Sequence, residues 1–449
     1  DVTALRHLPV DFMQRYLVLP IEFSENPQRL TVVMTDPNDF DLLQDLQMAT
    51  GCIVRGIKAE AELIAEWVDT FVDKSQILVS NHKKKADLVT PAIKTIDDIL
   101  TEAMHSGVSD IHFEPGQNAF VVRFRKDGVL YVARKLANRS VPEIITRLKI
   151  MARLDIAEQR RPQDGRIHFN DGFKGVDIRV SALPTDYGQK MVLRILDKGQ
   201  IIHRLDALGM LPAQIAMMQS EITKPHGIFL ITGPTGSGKT TTLYTLLQMI
   251  RSTELNISTI EEPIEYKLEG ITQTAVNPKI DLTFAAALRS LLRQDPDVIM
   301  VGEIRDGETA ELAIRAALTG HLVFSTLHTN DAPSAVIRLI DMGVEPFLVA
   351  TAVNFIVAQR LVRRICPTCQ NKKNGCLACG GSGFKGRIGI FEMFKMDEQL
   401  REKIHRGATT SDLRATAKAA GMQTLVEDGL HKVKLGLTTE SEVAAEAIT

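Results

Sequence analysis

The sequence predicts a multidomain α/β fold, and three observations predict it. Its 449 residues correspond to about three domains by length. Over the C-terminal half, apolar runs of strand length alternate with stretches of helical period, the pattern of a mostly parallel sheet with helices on both faces. One of those runs, Gly227 to Thr232, leads directly into a glycine-rich loop that ends in Lys239 and Thr240.

Composition narrows the class. Hydrophobic residues make up 44% and charged residues 24%, as in an ordinary globular protein. A formal net charge of −2 supplies no whole-chain attraction to nucleic acid or anionic membrane. One Trp and five Tyr leave few stacking platforms for single-stranded nucleic acid. No run of about 18 apolar residues exists, so no helical membrane span is expected. The chain begins at Asp1 with neither an initiator Met nor a signal peptide, which implies that the natural N-terminus precedes it.

Residues 1–72 read as a small α/β domain. Arg29 to Thr35 alternates as a strand and ends in a Thr-Asp-Pro-Asn turn, and Asp39 to Thr50 and Ala59 to Val72 have helical spacing. Cys52 stands alone in an apolar context and reads as a small core residue. Residues 73–91 carry no periodicity and read as a linker, their Lys run solvated. A second domain spans 92–200. Thr95 to His105 and Val141 to Leu154 read as helices. Asp110 to Phe113, Ala119 to Arg125, Gly128 to Ala133, Arg166 to Phe169, Gly175 to Ser181 and Lys190 to Ile195 read as strands. Arg160 to Arg166 is dense in arginine beside a turn, and Arg179 and Arg194 lie on later strands. Arginine on a rigid element can present a fixed fork to phosphate, or it can make surface salt bridges. The third domain, 201–449, holds strands at Gly227 to Thr232, Ile257 to Ile260, Val298 to Val301 and Leu322 to Ser325. In such a sheet the phosphate chemistry belongs at the carboxyl ends of the strands.

The loop Gly233-Pro234-Thr235-Gly236-Ser237-Gly238-Lys239-Thr240 matches G-x-x-x-x-G-K-T in the strand–loop–helix context that makes the motif a phosphate site. Its glycines let successive N–H groups turn inward, and the helix from Lys239 to about Met249, with Thr241 in its first turn, adds its positive end. Lys239 can reach the β- and γ-phosphates of ATP, and the Thr240 hydroxyl can ligate Mg²⁺. Glu303 ends the buried strand Asp297 to Val301 and is the candidate acid for ordering Mg²⁺. Another strand ends in Glu261, Glu262 and Glu265 around Pro263, an acid cluster suited to polarising water or to capping a helix. His321 and His328 bracket the strand between them, where a polar group can sense a phosphate or serve structure. Cys366, Cys369, Cys376 and Cys379 form two C-x-x-C knuckles suited to a tetrahedral Zn²⁺ site. Disulfides are disfavoured in a cytosolic nucleotide-binding chain, and a redox pair needs no second knuckle. The connection between the knuckles, Gln370 to Gly375, is only six residues long.

Together these stretches resemble the ATPases of type II secretion and type IV pilus assembly. The phosphate loop, Thr259 to Glu265, Leu292 to Asp306 and Thr319 to Asp331 look like that family's Walker A, Asp box, Walker B and His box, and Ser109 to Pro115 and Arg161 to Arg166 look like its second domain. The resemblance covers 92–449 strongly and the first 72 residues more loosely. It implies a RecA-like third domain with a zinc insert at 366–379, a PAS-like second domain and a partner-docking first domain. It implies that Glu261 is the general base, that Glu303 is the Walker B acid, and that His321 and His328 are the His-box pair. Arg166 and Arg179 look like arginines that reach nucleotide phosphates, in some cases at a neighbouring subunit. Glu262 stands where the family has Asp, and the cysteine pairs are closer together than usual. The implied protein is a cytoplasmic homohexamer, peripheral to the inner membrane, that works on platform and cytoplasmic-ring proteins to drive pilin or pseudopilin assembly. Two alternatives are a conjugation-type nucleic-acid translocase and a regulator that holds nucleotide without hydrolysing it.

Overall fold

The computed structural model describes residues 16–25, 28–50, 52–64, 91–170, 175–196, 204–372 and 375–447, together with Ala4, Leu8, Met13, Trp67 and Val68. The chain divides into two compact units, Asp1–Lys94 and Thr95–Thr449. Residues 73–90 of the expected linker lie outside the described residues, as does most of the second half of the expected helix Ala59 to Val72, whereas Pro91 already begins a helix.

The first unit holds strands β1 (Leu19–Glu25), β2 (Gln28–Met34) and β3 (Ile53–Lys58) in that spatial order. β1 and β2 are antiparallel. β2 and β3 are parallel, and the helix Phe40–Thr50 makes the crossover that parallel pairing needs. Asp36 accepts from the Asn38 N–H at 3.0 Å, which turns the chain out of β2. Leu30, Val32, Met34 and Cys52 are buried in this unit's core.

The second unit contains two sheets. The first is antiparallel throughout: β4 (Asp110–Pro115), β5 (Phe120–Lys126), β6 (Val129–Leu136), β7 (Gln163–Asn170), β8 (Gly175–Thr185) and β9 (Gly188–Leu196), ordered β6-β5-β4-β9-β8-β7. Ile111 and Phe113, Phe120, Val122 and Phe124, and Ile178 and Val180 alternate into its core, as a one-sided sheet requires. The helix Pro91–Ser106 buries Ile96, Ile99, Leu100 and Ala103 at helical spacing. All six expected strands are present, most of them a residue or more longer than their apolar patterns.

The second sheet has seven strands: β10 (Gly227–Thr232), β11 (Ile257–Glu261), β12 (Thr272–Ala275), β13 (Val298–Val301), β14 (Leu322–Leu327), β15 (Val353–Ile365) and β16 (Phe384–Lys395). Their order is β12-β11-β13-β14-β10-β15-β16, parallel except for the antiparallel pair β15/β16. The four strands expected from the sequence are the four central ones. β10, β13 and β14 are buried at every residue, which is why they read as unbroken apolar runs. β12, β15 and β16 were not among the expected strands. β15 interrupts its apolar residues with Asn354, Gln359, Arg360, Arg363 and Arg364, and β12 is four residues of edge strand. The tetracysteine segment is the tip of the β15/β16 hairpin. A fully buried ion pair fastens the helix Leu425–Lys434 to β16. Lys432 reaches Asp428 and the Gly389 carbonyl, each at 2.7 Å, and Asp428 accepts from the Phe391 N–H at 2.8 Å. Hydrogen bonds from each charge to the backbone, added to the pairing itself, offset part of its desolvation penalty.

Candidate functional site

The phosphate loop leaves the carboxyl end of β10 and enters the helix Lys239–Ile250. Gly238 has φ +86°, and a Cβ at Gly233 would stand 2.5 Å from the Gln359 carbonyl oxygen. Only glycine fits these two positions. The loop borders a pocket of about 590 Å³, lined in part by residues 235–241. Lys239 folds back over the loop, and its Nζ donates to the Gly233 carbonyl at 2.8 Å and the Pro234 carbonyl at 3.0 Å. Burial pushes its ammonium down to about 8, with Glu303 opposing the shift and Arg360 adding to it. Thr240 is exposed on the pocket wall.

Two further strand ends close this site. Glu303 follows β13 and is 16% exposed; its carboxylate lies 3.4 Å from His328 Nε2 and 2.5 Å from Arg305. Arg305 also pairs with Glu262 at 3.0 Å, so an acid–base chain runs Glu262, Arg305, Glu303, His328 along the pocket. His328 follows β14, and burial and the neighbouring Lys239 hold it below the ordinary histidine value against the pull of Glu303. Aspartates fix the loops beyond these residues. Asp306 caps the helix Gly307–Leu318 through the Thr309 N–H, and Asp331 caps the helix Ala332–Asp341 through the Ser334 N–H, both at 2.8 Å.

Glu261 ends β11 and also lines the pocket, but the residue is only 3% exposed and its carboxylate already accepts three donors. Thr259 donates at 2.6 Å, Gln273 at 3.0 Å, and the Tyr244 hydroxyl donates to the other oxygen. Burial, reinforced by the neighbouring Glu261 carboxylate, pushes the Tyr244 phenol far above its usual range. Glu262, one residue on, is the more open of the two acids.

The arginines form a row. Arg166 on β7 pairs in register with Arg179 on β8, which pairs with Arg194 on β9. Like charges placed directly opposite are unfavourable unless acids or a bound anion answer them. Arg194 is held by Asp110 at 2.9 Å and borders the phosphate-loop pocket. Arg179 pairs with Glu265 at 3.0 Å and donates to the Ile264 carbonyl at 3.3 Å, bracing the turn after Glu262. Arg166 and Arg179 line an adjoining cleft beside Pro263 rather than the phosphate-loop pocket itself.

His321 does not join this site. It precedes β14, where its carbonyl accepts from the Gly227 N–H at 3.1 Å and its Nδ1 lies 2.9 Å from the Ala316 carbonyl. β10 and β14 run parallel, so the phosphate loop lies at the far end of six strand residues, about 20 Å away at ~3.3 Å per residue. Sequence reasoning left four residues of the site unassigned. Arg305 is signalled by its place two residues after Glu303, and for Arg194 the sequence leaves phosphate contact and salt bridging both open. Gln359 and Arg387 carried no local signal, because only the sheet order brings β15 and β16 to the loop.

The four cysteine sulfurs all lie within 4.8 Å of one another. Cys366–Cys376, Cys369–Cys379 and Cys376–Cys379 are each 3.8 Å apart. Tetrahedral Zn–S bonds of about 2.3 Å place sulfurs about 3.8 Å apart, so the set fits Zn²⁺. The Cys376 and Gly383 N–H groups point at Cys379 Sγ from 3.1 and 3.3 Å, and the first of these leads in lowering that thiol's pKa. Among the described residues no helix is long and apolar enough to cross a membrane.

Residues 85–445 match the Type II/IV secretion system protein family, and residues 1–76 match the MshEN domain. The type II secretion system protein HxcR of Pseudomonas aeruginosa is 51% identical over 361 residues, 79% of this chain and 76% of that one. The type IV pilus assembly ATPase PilB of Thermus thermophilus is 42% identical over 484 aligned positions, which cover 98% of this chain but 54% of the relative. Among solved structures, the pilus retraction motor PilT with bound ADP has a TM-score of 0.56 at 28% identity, over 78% of this chain and 96% of that one. The Legionella pneumophila ATPase DotB has a TM-score of 0.61 at 23% identity, over 81% and 97%, and shares the fold. With four-fifths of its length inside one family and relatives at these identities, the chain belongs to the type II/IV secretion system protein family.

Proposed function

We propose that the chain is a Mg²⁺-dependent ATPase that couples hydrolysis to the assembly of pilin or pseudopilin filaments. One observation carries the reading: Lys239, Thr240, Glu303 and His328 converge on one pocket from the carboxyl ends of three adjacent parallel strands. The relatives named above as a secretion system protein and a pilus assembly ATPase supply the physiological task. Lys239 exchanges its loop carbonyls for the β- and γ-phosphates of ATP. Thr240 and Glu303 are the residues that would hold Mg²⁺, which neutralises developing phosphate charge. His328, next to Glu303, faces the γ-phosphate. Glu261 or Glu262 orients the attacking water, and the buried network around Glu261 suits an acid whose position must not drift. The arginine row lends positive charge from the first sheet of the second unit, with Arg194 at this pocket and Arg166 and Arg179 beside it. The working protein is a cytoplasmic homohexamer that docks on inner-membrane platform and ring proteins, and the hairpin cysteines hold a structural Zn²⁺.

Phosphate release from ATP by the purified chain tests the reading. Turnover is expected with Mg²⁺, none with a chelator, and almost none in Lys239→Ala. Binding without turnover under all conditions would instead favour the non-hydrolysing regulator.

A further inference from the structure

β15 lies against the phosphate loop, and Gln359 is the residue through which it touches it. The side chain is 1% exposed and both ends of its amide are used. Nε2 donates to the Ser237 carbonyl at 2.8 Å, and Oε1 accepts from the Thr242 hydroxyl at 2.8 Å. The two partners flank Lys239, one on the loop and one in the first turn of the helix. Space is tight on this side: a Cβ at Gly238 would stand 2.8 Å from Gln359 Nε2, and one at Gly233 would meet the Gln359 carbonyl. The next residue, Arg360, is 3% exposed and donates to the Asn330 carbonyl at 2.8 Å, in the loop that follows His328.

In a trans peptide the C=O and the following N–H point in opposite directions. The Gln359 amide holds the Ser237 carbonyl toward the sheet. The N–H of the same peptide, that of Gly238, must then face away from β15 and into the pocket. Gly238 has φ +86° and little steric restraint of its own, so without the amide this peptide plane is free to turn. A turned plane aims a carbonyl oxygen at the phosphate in place of a donor.

We propose that Gln359 is a positioning residue for the nucleotide site, which fixes the Ser237–Gly238 peptide so that the phosphate loop presents an N–H to phosphate. The proposal rests on the ATPase reading above. It assigns Gln359 a share of ground-state phosphate binding and leaves the chemical step to the residues at the ends of β11, β13 and β14.

The test is titration with ADP and steady-state ATP hydrolysis of the full chain, for the parent, Gln359→Glu, Gln359→Leu and Lys239→Ala. Gln359→Glu keeps the acceptor for Thr242 and loses the donor to Ser237. Loss of one such hydrogen bond, about 1.4 kcal/mol, corresponds to tenfold. Both Gln359 variants are therefore expected to bind ADP about tenfold more weakly and to raise KM for ATP by a similar factor, with kcat within about threefold of the parent. A residue serving only the fold would lower the melting temperature and leave KM unchanged, and that result overturns the proposal, as does a loss confined to kcat. If neither variant folds, Thr242→Val, which frees the amide to turn, is expected to weaken ADP binding about threefold, and unchanged binding overturns the proposal. Lys239→Ala separates the two claims. If it binds ADP like the parent, the nucleotide site itself is misplaced; if it loses binding while the Gln359 variants do not, only the role of Gln359 fails.

Discussion

The buried state of Lys239 makes nucleotide affinity depend on pH in a range where most proteins show none. In the free protein burial lowers its ammonium from the usual 10.5 to about 8. Two or three phosphate charges at contact distance hold it protonated once nucleotide is bound. Below pH 8 the free lysine is already charged and binding takes up no proton. Above pH 8 binding must first protonate it, so affinity falls by about tenfold per pH unit. At pH 9.5 only about one free molecule in thirty carries the charge, so Kd for ADP should rise about 30-fold over its value at pH 7, or ~2 kcal/mol. A lysine of ordinary pKa would change Kd by only about 10% over the same range. The assay is fluorescence titration with a labelled ADP from pH 7 to 9.5, with folding checked by circular dichroism at each pH. Carboxylates have finished titrating and histidines and nucleotide phosphates are mostly deprotonated by pH 7, so the tenfold-per-unit fall above pH 8 is not theirs. Lys239→Arg, which stays charged, should bind with a flat profile. A parent Kd that moves less than threefold between pH 7 and 9.5 would refute the reasoning, because Lys239 would then be ordinarily solvated or already neutralised by Glu303.

Three further outcomes are expected. Glu303→Gln should retain ADP binding and lose at least about 100-fold in turnover, and Glu261→Gln should also lose turnover but melt earlier, since an amide cannot accept from all three of its buried donors; parent-like hydrolysis by Glu261→Gln would remove it as the base and leave Glu262. Metal analysis should give about one Zn²⁺ per chain, and replacing Cys376 and Cys379 by Ser should loosen the β15/β16 hairpin with little change in ADP binding, whereas carefully purified protein without metal would mean a reduced thiol cluster. Mixing an Arg166→Ala, Arg179→Ala chain with a Lys239→Ala chain should restore ATPase activity if those arginines act on a neighbouring subunit's nucleotide; no recovery in confirmed hexamers would confine them to their own chain, where Arg179 braces Glu265 and its turn.

How much of the site was legible follows from how locally each part is specified. The phosphate loop could be read because strand, glycines, Lys239 and Thr240 are contiguous and their geometry is a property of one turn. Glu303 was legible as the first acid after a buried apolar run, and the cysteines as paired knuckles. The acids around Pro263 were legible as a cluster but not individually. Nothing in Thr-Ile-Glu-Glu-Pro says that the first carboxylate is wrapped by Tyr244, Thr259 and Gln273 while the second faces Arg305. The two histidines look equivalent in sequence, yet β14 carries one at each of its ends, and only His328 lies at the carboxyl end, where the phosphate loop begins.

The order of the elements along the chain, the buried character of β10, β13 and β14, the glycine turn that leads into Lys239 and the two cysteine knuckles are all properties of short segments, so the sequence by itself determined them. Strand order is not such a property. Placing β15 beside β10 brought Gln359 under the phosphate loop, and folding the arginine-bearing strands beside the acid turn brought Arg194 to the same pocket. Those contacts join residues more than a hundred positions from Lys239 in one case and about forty-five in the other. Only burial of the apolar faces of whole elements, which no local pattern encodes, could decide them.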